Sequence, residues 1–151
     1  MLVGVISDTH GELPDAVYDA FKGVDYIIHA GDIGRESVLW ELEYIAPTFA
    51  CLGNNDWNGY GSAVRREIHP VIGGVNIAVT HFPHEAERLA ATGEYGLAVH
   101  GHTHVPRDEV FGACRIINPG SAVRPRHGSA RQCCTVRISD GVVGPVTAHL
   151  L

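Results

Sequence analysis

Long apolar runs are missing from this chain. None approaches the roughly 20 residues of a membrane span, so no spanning helix is expected. An excess of positive charge is missing too. The 11 Lys+Arg stand against 17 Asp+Glu, a formal −6 at pH 7, and no extended nucleic-acid surface is expected. The opening residues carry no basic segment ahead of their apolar run, so no signal peptide is expected at this end. Cys51, Cys114, Cys133 and Cys134 have neither metal-site nor redox spacing. Free thiols of a cytoplasmic protein are the expectation. Internal repeats, low-complexity tracts and linkers are absent, which predicts a single domain over residues 1–151. What remains, 45% hydrophobic and 19% charged residues, is the balance of a soluble globular protein.

Histidine is what the chain has in quantity, with ten copies. Four of them fall in Thr80-His81 and in Val99-His100-Gly101-His102-Thr103-His104. This tract is internal and broken by Gly and Thr, so it reads as a site. The opening stretch Leu2-Val3-Gly4-Val5-Ile6 reads as a buried strand that runs into Ser7-Asp8-Thr9-His10. Asp8 and His10, two residues apart on an extended chain, project to one side and offer an oxygen and a nitrogen donor.

The pattern repeats along the chain. Leu13 to Phe21 predicts a helix with Leu13, Val17, Ala20 and Phe21 on one face and Gly23 as its stop. Tyr26 to Ala30 is a second strand, running into Gly31-Asp32. Arg35 to Ala46 is a second helix, stopped by Pro47, and Thr48 to Leu52 is a third strand, running into Gly53-Asn54-Asn55-Asp56. This βαβαβ order implies a parallel core. Beyond it, Glu67 to Val71 and Val75 to Thr80 predict hairpin strands around Gly73-Gly74. A helix is expected over Pro83 to Ala91. Short strands follow at Leu97 to Val99, Val110-Phe111, Cys114 to Ile117, Cys133 to Ile138 and Val142 to Ala148. Helices first and antiparallel strands later suggest two face-to-face sheets with helices outside.

Each polar candidate follows an apolar strand. Asp8, His10, Asp32, Asn54, His81, His102 and His104 are seven donors at strand ends, where ligands of α/β sheets gather. They are too many for one tetrahedral ion and suit two neighbouring ions, with Asp32 able to bridge. Four imidazoles among them favour Mn²⁺, Fe, Zn²⁺, Ni²⁺ or Co²⁺ over Mg²⁺ and Ca²⁺.

In order, Asp8-Thr9-His10, Gly31-Asp32, Gly53-Asn54-Asn55-Asp56, Thr80-His81 and Gly101-His102-Thr103-His104 resemble the motifs of the calcineurin-like metallophosphoesterases. The short length and Ile117-Asn118-Pro119-Gly120-Ser121 resemble the small YfcE-like phosphodiesterase branch, over residues 1–140. The resemblance implies an α/β (α+β) four-layer αββα sandwich, with two mixed β-sheets flanked by helices. It implies a first metal on Asp8, His10 and His104, a second on Asn54, His81 and His102, and Asp32 as the bridge. Two divalent transition-metal ions are therefore expected, Mn²⁺ first among them.

The chain departs from the family pattern twice. The superfamily usually has His after the Asn ligand, as proton donor or phosphate contact; Asn55 stands there. The ligand matching His81 is commonly followed by Gly and another His; here Phe82-Pro83-His84 follows. Asn55 and Asp56 are the candidate catalytic residues, Asp56 as an orienting group behind the donors. His29 and His100 are expected in supporting or core positions, and His69, His127 and His149 at the surface. Asn118-Pro119-Gly120-Ser121 fits a type II turn, with substrate contact as the sharper reading. Arg124 and Arg126 read as part of a solvated loop, or more sharply as contacts to substrate phosphate.

The expected activity is a phosphodiesterase with a metal-bridging hydroxide, acting on a small phosphodiester. The alternatives are a phosphomonoesterase or nucleotide hydrolase, and a scaffold or binding protein of the same fold. Scaffold relatives such as the retromer subunit lose metal ligands, whereas this chain keeps all seven. No membrane partner is expected, and a homo-oligomer is left open.

Overall fold

The computed structural model describes residues 1–151, and its order follows the alternation of apolar runs and turns. The first sheet begins with β1 (Leu2–Ile6), β2 (Tyr26–His29) and β3 (Thr48–Ala50), all parallel. Helices α1 (Ala16–Ala20) and α2 (Glu36–Ile45) make the crossovers. The second sheet holds β4 (Glu67–Ile68), β5 (Val71–Ile72), β6 (Val75–Thr80), β7 (Leu97–Val99), β8 (Arg107–Phe111) and β9 (Cys114–Asn118), with α3 (Pro83–Ala90) between β6 and β7. The chain then returns to the first sheet as β10 (Gln132–Ser139) and β11 (Val142–Leu150), giving the order β11-β10-β1-β2-β3.

Strand alternation decides the layers. In β1, Val3 and Val5 face the second sheet and pack with Ile28, Ile77, Val79, Leu97, Val99 and Val136. Ile6 faces the other way, onto Val17 and Phe21 of the first helical layer and Val38 and Leu42 of α2. Ala98 and Ile116 on the outer face of the second sheet receive Ala86 and Ala90 of α3. Two helices, sheet, sheet and helix thus form the expected αββα sandwich with two mixed sheets. Adjacent Cys133 and Cys134 alternate into different layers, and all four cysteines are free and buried. No helix is long and apolar enough to cross a membrane.

Two expectations need correction. The second half is not an antiparallel meander, because β6, β7 and β9 are parallel. α3 returns the chain to the same end after β6, so the βαβ logic of the first half recurs. The first helix is also shorter than Leu13–Phe21. Ahead of Ala16, Val17 N–H bonds Pro14 O and Tyr18 N–H bonds Asp15 O, tight three-residue turns that replace the first α-turn.

This topology puts the carboxyl ends of β1, β2, β3, β6 and β7 at one place. Cross-loop bonds fix their spacing. Asp8 N–H donates to Gly31 O at 3.0 Å, His10 N–H to Asp32 O at 3.0 Å, and Gly101 N–H to His81 O at 3.1 Å.

Candidate metal centre

The donor residues leave their strands in an unusual backbone state. Asp8, His10, Asp32, His102 and His104 all have positive φ, between 46° and 70°. Such conformations cost a non-glycine residue about 1–3 kcal/mol each and persist where surrounding structure imposes them. The glycines beside them permit the crowding. A Cβ on Gly53 would collide with Asp32 Oδ1, and one on Gly101 would collide with Ser7 Oγ. The Gly-donor dipeptides in the sequence are therefore close-approach positions.

Asp8 divides its carboxylate. Oδ2 accepts Ser7 Oγ–H at 2.7 Å and His102 N–H at 3.1 Å. Oδ1 accepts nothing, although it is buried. Around Oδ1 stand His104 Nε2 at 3.1 Å, His81 Nε2 at 3.8 Å and His10 Nε2 at 3.9 Å. Asp32 lies opposite, with Oδ1 3.6 Å from His81 Nε2 and Oδ2 3.8 Å from His10 Nε2. Each oxygen of Asp32 thus faces a different imidazole.

The ring nitrogens have defined roles. His81 Nδ1–H donates to Ala30 O at 2.8 Å, and His104 Nδ1–H donates to Arg124 O at 2.6 Å. In each ring this leaves the Nε2 lone pair aimed at the cluster. His81 Nε2 is buried without a hydrogen-bond partner. His10 Nε2 and His104 Nε2 face each other at 3.3 Å. With both rings neutral and Nε2 unprotonated, these atoms and the bare carboxylate oxygen repel at such range, and a proton or a metal cation among them relieves the repulsion. The donor set therefore fits a divalent metal. Asp8, His10 and His104 bring ligand atoms within 4.8 Å of one another, as do Asp8, Asp32 and His81. His102 Nδ1 and Asn54 Oδ1 meet 3.2 Å apart on the more open side, and the His102 ring lies 5.2 Å from that of His81. All seven expected donors are gathered in one place.

Charge follows this geometry. Burial pushes the Asp8 carboxyl up, but His104 and His81 outweigh it and hold it below the usual carboxylate range. Burial likewise raises Asp32, and His81 together with Asn55 more than reverses it. Burial lowers His10 and His102, keeping their imidazoles neutral and able to ligate.

The two candidate catalytic residues stand behind the donors. Asn55 donates its backbone N–H to Asp32 Oδ1 at 2.9 Å and its amide N–H to Oδ2 at 2.8 Å. Asp56 accepts the backbone N–H groups of Ile33 at 3.1 Å, Gly34 at 3.0 Å and Gly53 at 2.8 Å, so it ties the Asp32 loop to the Asn54 loop.

His29 and His100 occupy supporting places. His29 Nδ1 accepts Gly31 N–H at 3.1 Å and its Nε2 meets Thr9 Oγ1 at 2.9 Å. Burial pushes its pKa down to about 4. His100 bonds Gly101 O at 2.9 Å. His69 and His127 are exposed, and His149 is half-buried against Thr135.

Several contributors lay outside the donor motifs. Ser7 fixes Asp8. Ser121 Oγ–H donates to Asp8 O at 2.8 Å, and Asn118 Nδ2 donates to Gly101 O at 3.1 Å. The Asn118–Ser121 turn thus braces two of the loops that carry candidate donors. Phe82 fills the wall where the family pattern has Gly, with its ring 4.9 Å from His102 and 5.3 Å from His81. Its place directly after His81 was the only signal.

A sandwich that gathers carboxylate, imidazole and amide donors at its strand ends is the architecture of a divalent-metal protein. The model of the calcineurin-like phosphoesterase superfamily domain matches residues 1–141, and the chain belongs to that superfamily. A probable metallophosphoesterase of Methanothermobacter thermautotrophicus is 38% identical over 138 residues, covering 83% of this chain and 80% of the relative. A solved archaeal phosphodiesterase has a TM-score of 0.83 at 24% identity and covers 100% of both chains. Vps29 of Entamoeba histolytica, solved with zinc, has a TM-score of 0.79 at 18% identity, over 100% of this chain and 98% of that one. These two structures share the fold.

Proposed function

We propose that the protein is a dinuclear-metal phosphodiesterase of one domain, working in the cytoplasm on a small phosphodiester. The observation that carries this reading is the pair of buried, unpartnered ligand atoms, Asp8 Oδ1 and His81 Nε2, 3.8 Å apart. Each lost hydrogen bond costs about 1–3 kcal/mol. A bound cation removes both penalties. Asp8, His10 and His104 would hold one ion, Asn54, His81 and His102 the other, with Asp32 shared. Bound divalent ions supply Lewis-acid charge and an activated water for in-line displacement at phosphorus, with Mn²⁺ the first choice and Ni²⁺, Zn²⁺, Fe and Co²⁺ behind it.

The chain's own groups orient that chemistry. Ser7 and the His102 N–H aim Asp8. Asn54 adds a neutral oxygen and leaves the local positive charge unquenched. Two ions held by Asp8 and Asp32 would, with one hydroxide supplied by activated water, leave about one positive charge, which would suit a diester monoanion. No histidine stands at position 55 to protonate a departing alkoxide, which disfavours the phosphomonoesterase reading.

The second reading is a protein-binding scaffold, favoured by the Vps29 likeness. Seven retained donors argue against it. A panel of nitrophenyl diesters and monoesters with Mn²⁺, Ni²⁺, Zn²⁺ and Mg²⁺ tests the choice. Metal-dependent turnover with diesters preferred supports the proposal. Absence of turnover with every ester and metal supports the scaffold, and a monoester preference supports the monoesterase.

A further inference from the structure

Three arginines stand around the donor cluster, and none has an acidic partner. Arg35 covers the turn after His10: a Cβ on Gly11 would lie 3.1 Å from Arg35 Cγ and 3.3 Å from its Nε. Arg124 accepts His104 Nδ1–H on its own carbonyl, which places it directly behind a donor imidazole. Arg126 donates its backbone N–H to His104 O at 3.4 Å, which keeps its loop against the same donor. All three side chains are exposed.

Four of the other arginines differ from them in this respect, while Arg65, Arg131 and Arg137 also stand without an ion pair. Arg66, Arg88, Arg107 and Arg115 each lie within 3.3 Å of a carboxylate. In a chain with 11 cations against 17 acids, three guanidiniums at the donor end remain without one. Glu12 is adjacent in sequence to Gly11, yet no ion pair joins it to any of them. The loop carrying Arg124 and Arg126 is also fixed in place. Ser121 Oγ accepts the N–H groups of Val123 at 3.2 Å and Arg124 at 2.9 Å, and Ser129 Oγ–H bonds Arg126 O at 2.6 Å. Preorganisation of this kind lowers the ordering cost of binding.

We propose that Arg35, Arg124 and Arg126 form an anion subsite beside the metal centre, and that the substrates are phosphodiesters carrying a further phosphate group. The inference rests on the phosphodiesterase reading above. The metal centre already matches the single charge of a simple diester. Such a diester would leave three guanidiniums uncompensated. A second phosphate brings acceptor oxygens that a guanidinium fork binds bidentately, at the strength of charge-assisted bonds.

Two substrates isolate the subsite: the p-nitrophenyl ester of thymidine 5′-phosphate, and the same ester with a 3′-phosphate. Both release nitrophenolate from the same kind of phosphorus. With the Mn²⁺-loaded wild type, the phosphorylated ester is expected to have a kcat/KM higher by about ten-fold or more. Arg35→Gln, Arg124→Gln and Arg126→Gln each lower this ratio, and the triple variant brings it near one. Lysine at the same positions gives intermediate ratios, keeping charge without the fork. Arg137→Gln leaves the ratio intact, because Arg137 pairs with Leu2 at the opposite end of β1.

A readout without turnover accompanies this. Calorimetry should show thymidine 3′,5′-bisphosphate binding more tightly than thymidine 5′-monophosphate, with the preference lost in the triple variant. A ratio at or below one in both readouts, or a preference untouched by the triple substitution, overturns the subsite. If neither ester is hydrolysed but the arginine-dependent binding preference persists, the subsite stands and the phosphodiesterase reading falls.

Discussion

Asn55 holds both oxygens of Asp32, one through its backbone N–H at 2.9 Å and the other through its amide at 2.8 Å. The same carboxylate faces His81 with one oxygen and His10 with the other. Asn55 therefore sets the plane of the group best placed to serve two ions. Asn55→Ala keeps the backbone bond and loses the amide. Partners of this kind are typically worth about 10–100-fold in metal affinity or activity. Metal titration should show a loss in that range, and Asn55→Asp, which sets a like charge against Asp32, should do worse. Affinity within two-fold of wild type in Asn55→Ala would mean that the backbone N–H suffices.

If Asp32 is shared, its loss is unlike the loss of any imidazole. Elemental analysis of Mn²⁺-supplemented protein is expected to give two ions per chain. Asp32→Asn should depress the occupancy of both ions and reduce turnover by at least about 10²-fold, since one carboxylate supports both Lewis acids. His104→Ala should empty mainly one site and His81→Ala mainly the other. A wild-type stoichiometry at or below one sinks the dinuclear arrangement, and wild-type turnover in Asp32→Asn sinks the bridge.

The donor set was legible because each apolar strand ends at a glycine or small residue followed by a side chain with lone pairs. Asp8, Asp32, Asn54 and His81 are found that way, and topology alone then brings them together. The sandwich followed from the same runs, as did the Gly73-Gly74 turn that joins β5 to β6. The grip of Asn55 on Asp32 spans 23 residues, and the approach of Arg35 to Gly11 spans two loops. No local pattern encodes either contact. β8 was seen only at Val110-Phe111, because most of this edge strand is exposed and has no apolar alternation to mark its start. The parallel run of β6, β7 and β9 was misread because short strands with turns between them look alike in either direction.

Asp56 gives a stability prediction that does not depend on metal. Its carboxylate accepts three backbone N–H groups from two loops and Tyr60 Oη–H at 3.3 Å. Asp56→Ala leaves these donors to water or to nothing. The loss is expected to be about 3 kcal/mol in urea unfolding of the metal-free protein, given the worth of hydrogen bonds to a charged acceptor. Asp56→Asn keeps one acceptor oxygen and should recover part of it. A change below about 1 kcal/mol would show that the two loops hold together without this carboxylate.

Metal uptake should release protons. Burial alone would lower His81, but the Asp32 and Asp8 carboxylates opposite it hold its pKa above the ordinary imidazole value. Asp8, 3.1 Å from Nε2, raises His104 against burial. A raised pKa means that the metal-free protein still holds these protons as pH rises toward neutrality. Binding a cation must eject them. Proton release per ion should therefore be larger at about pH 6 than at about pH 8, and apparent affinity should fall as pH falls. Calorimetry in buffers of different ionisation heat reads this directly. Buffer-independent heats at the lower pH would show that both imidazoles are already neutral.

The amide at position 55 also bears on the leaving group. General acid catalysis is typically worth about 10²–10⁴-fold, and an amide cannot give up its proton. Here, moreover, the amide N–H is engaged by Asp32. Aryl diesters, whose leaving groups depart unaided, should turn over at useful rates, and simple alkyl diesters slowly. Across substituted phenyl diesters the rate should fall steeply as leaving-group pKa rises. Asn55→His should flatten that slope by helping the poorest leaving groups most. It should also weaken metal binding, because the amide bond to Asp32 is lost, so the slopes are compared at saturating metal. Equal slopes with both ions retained would leave Asn55 purely as the residue that holds Asp32. The proton would then come from another group, such as a metal-bound water or the exposed His84, whose ring lies 5.9 Å from that of Phe82.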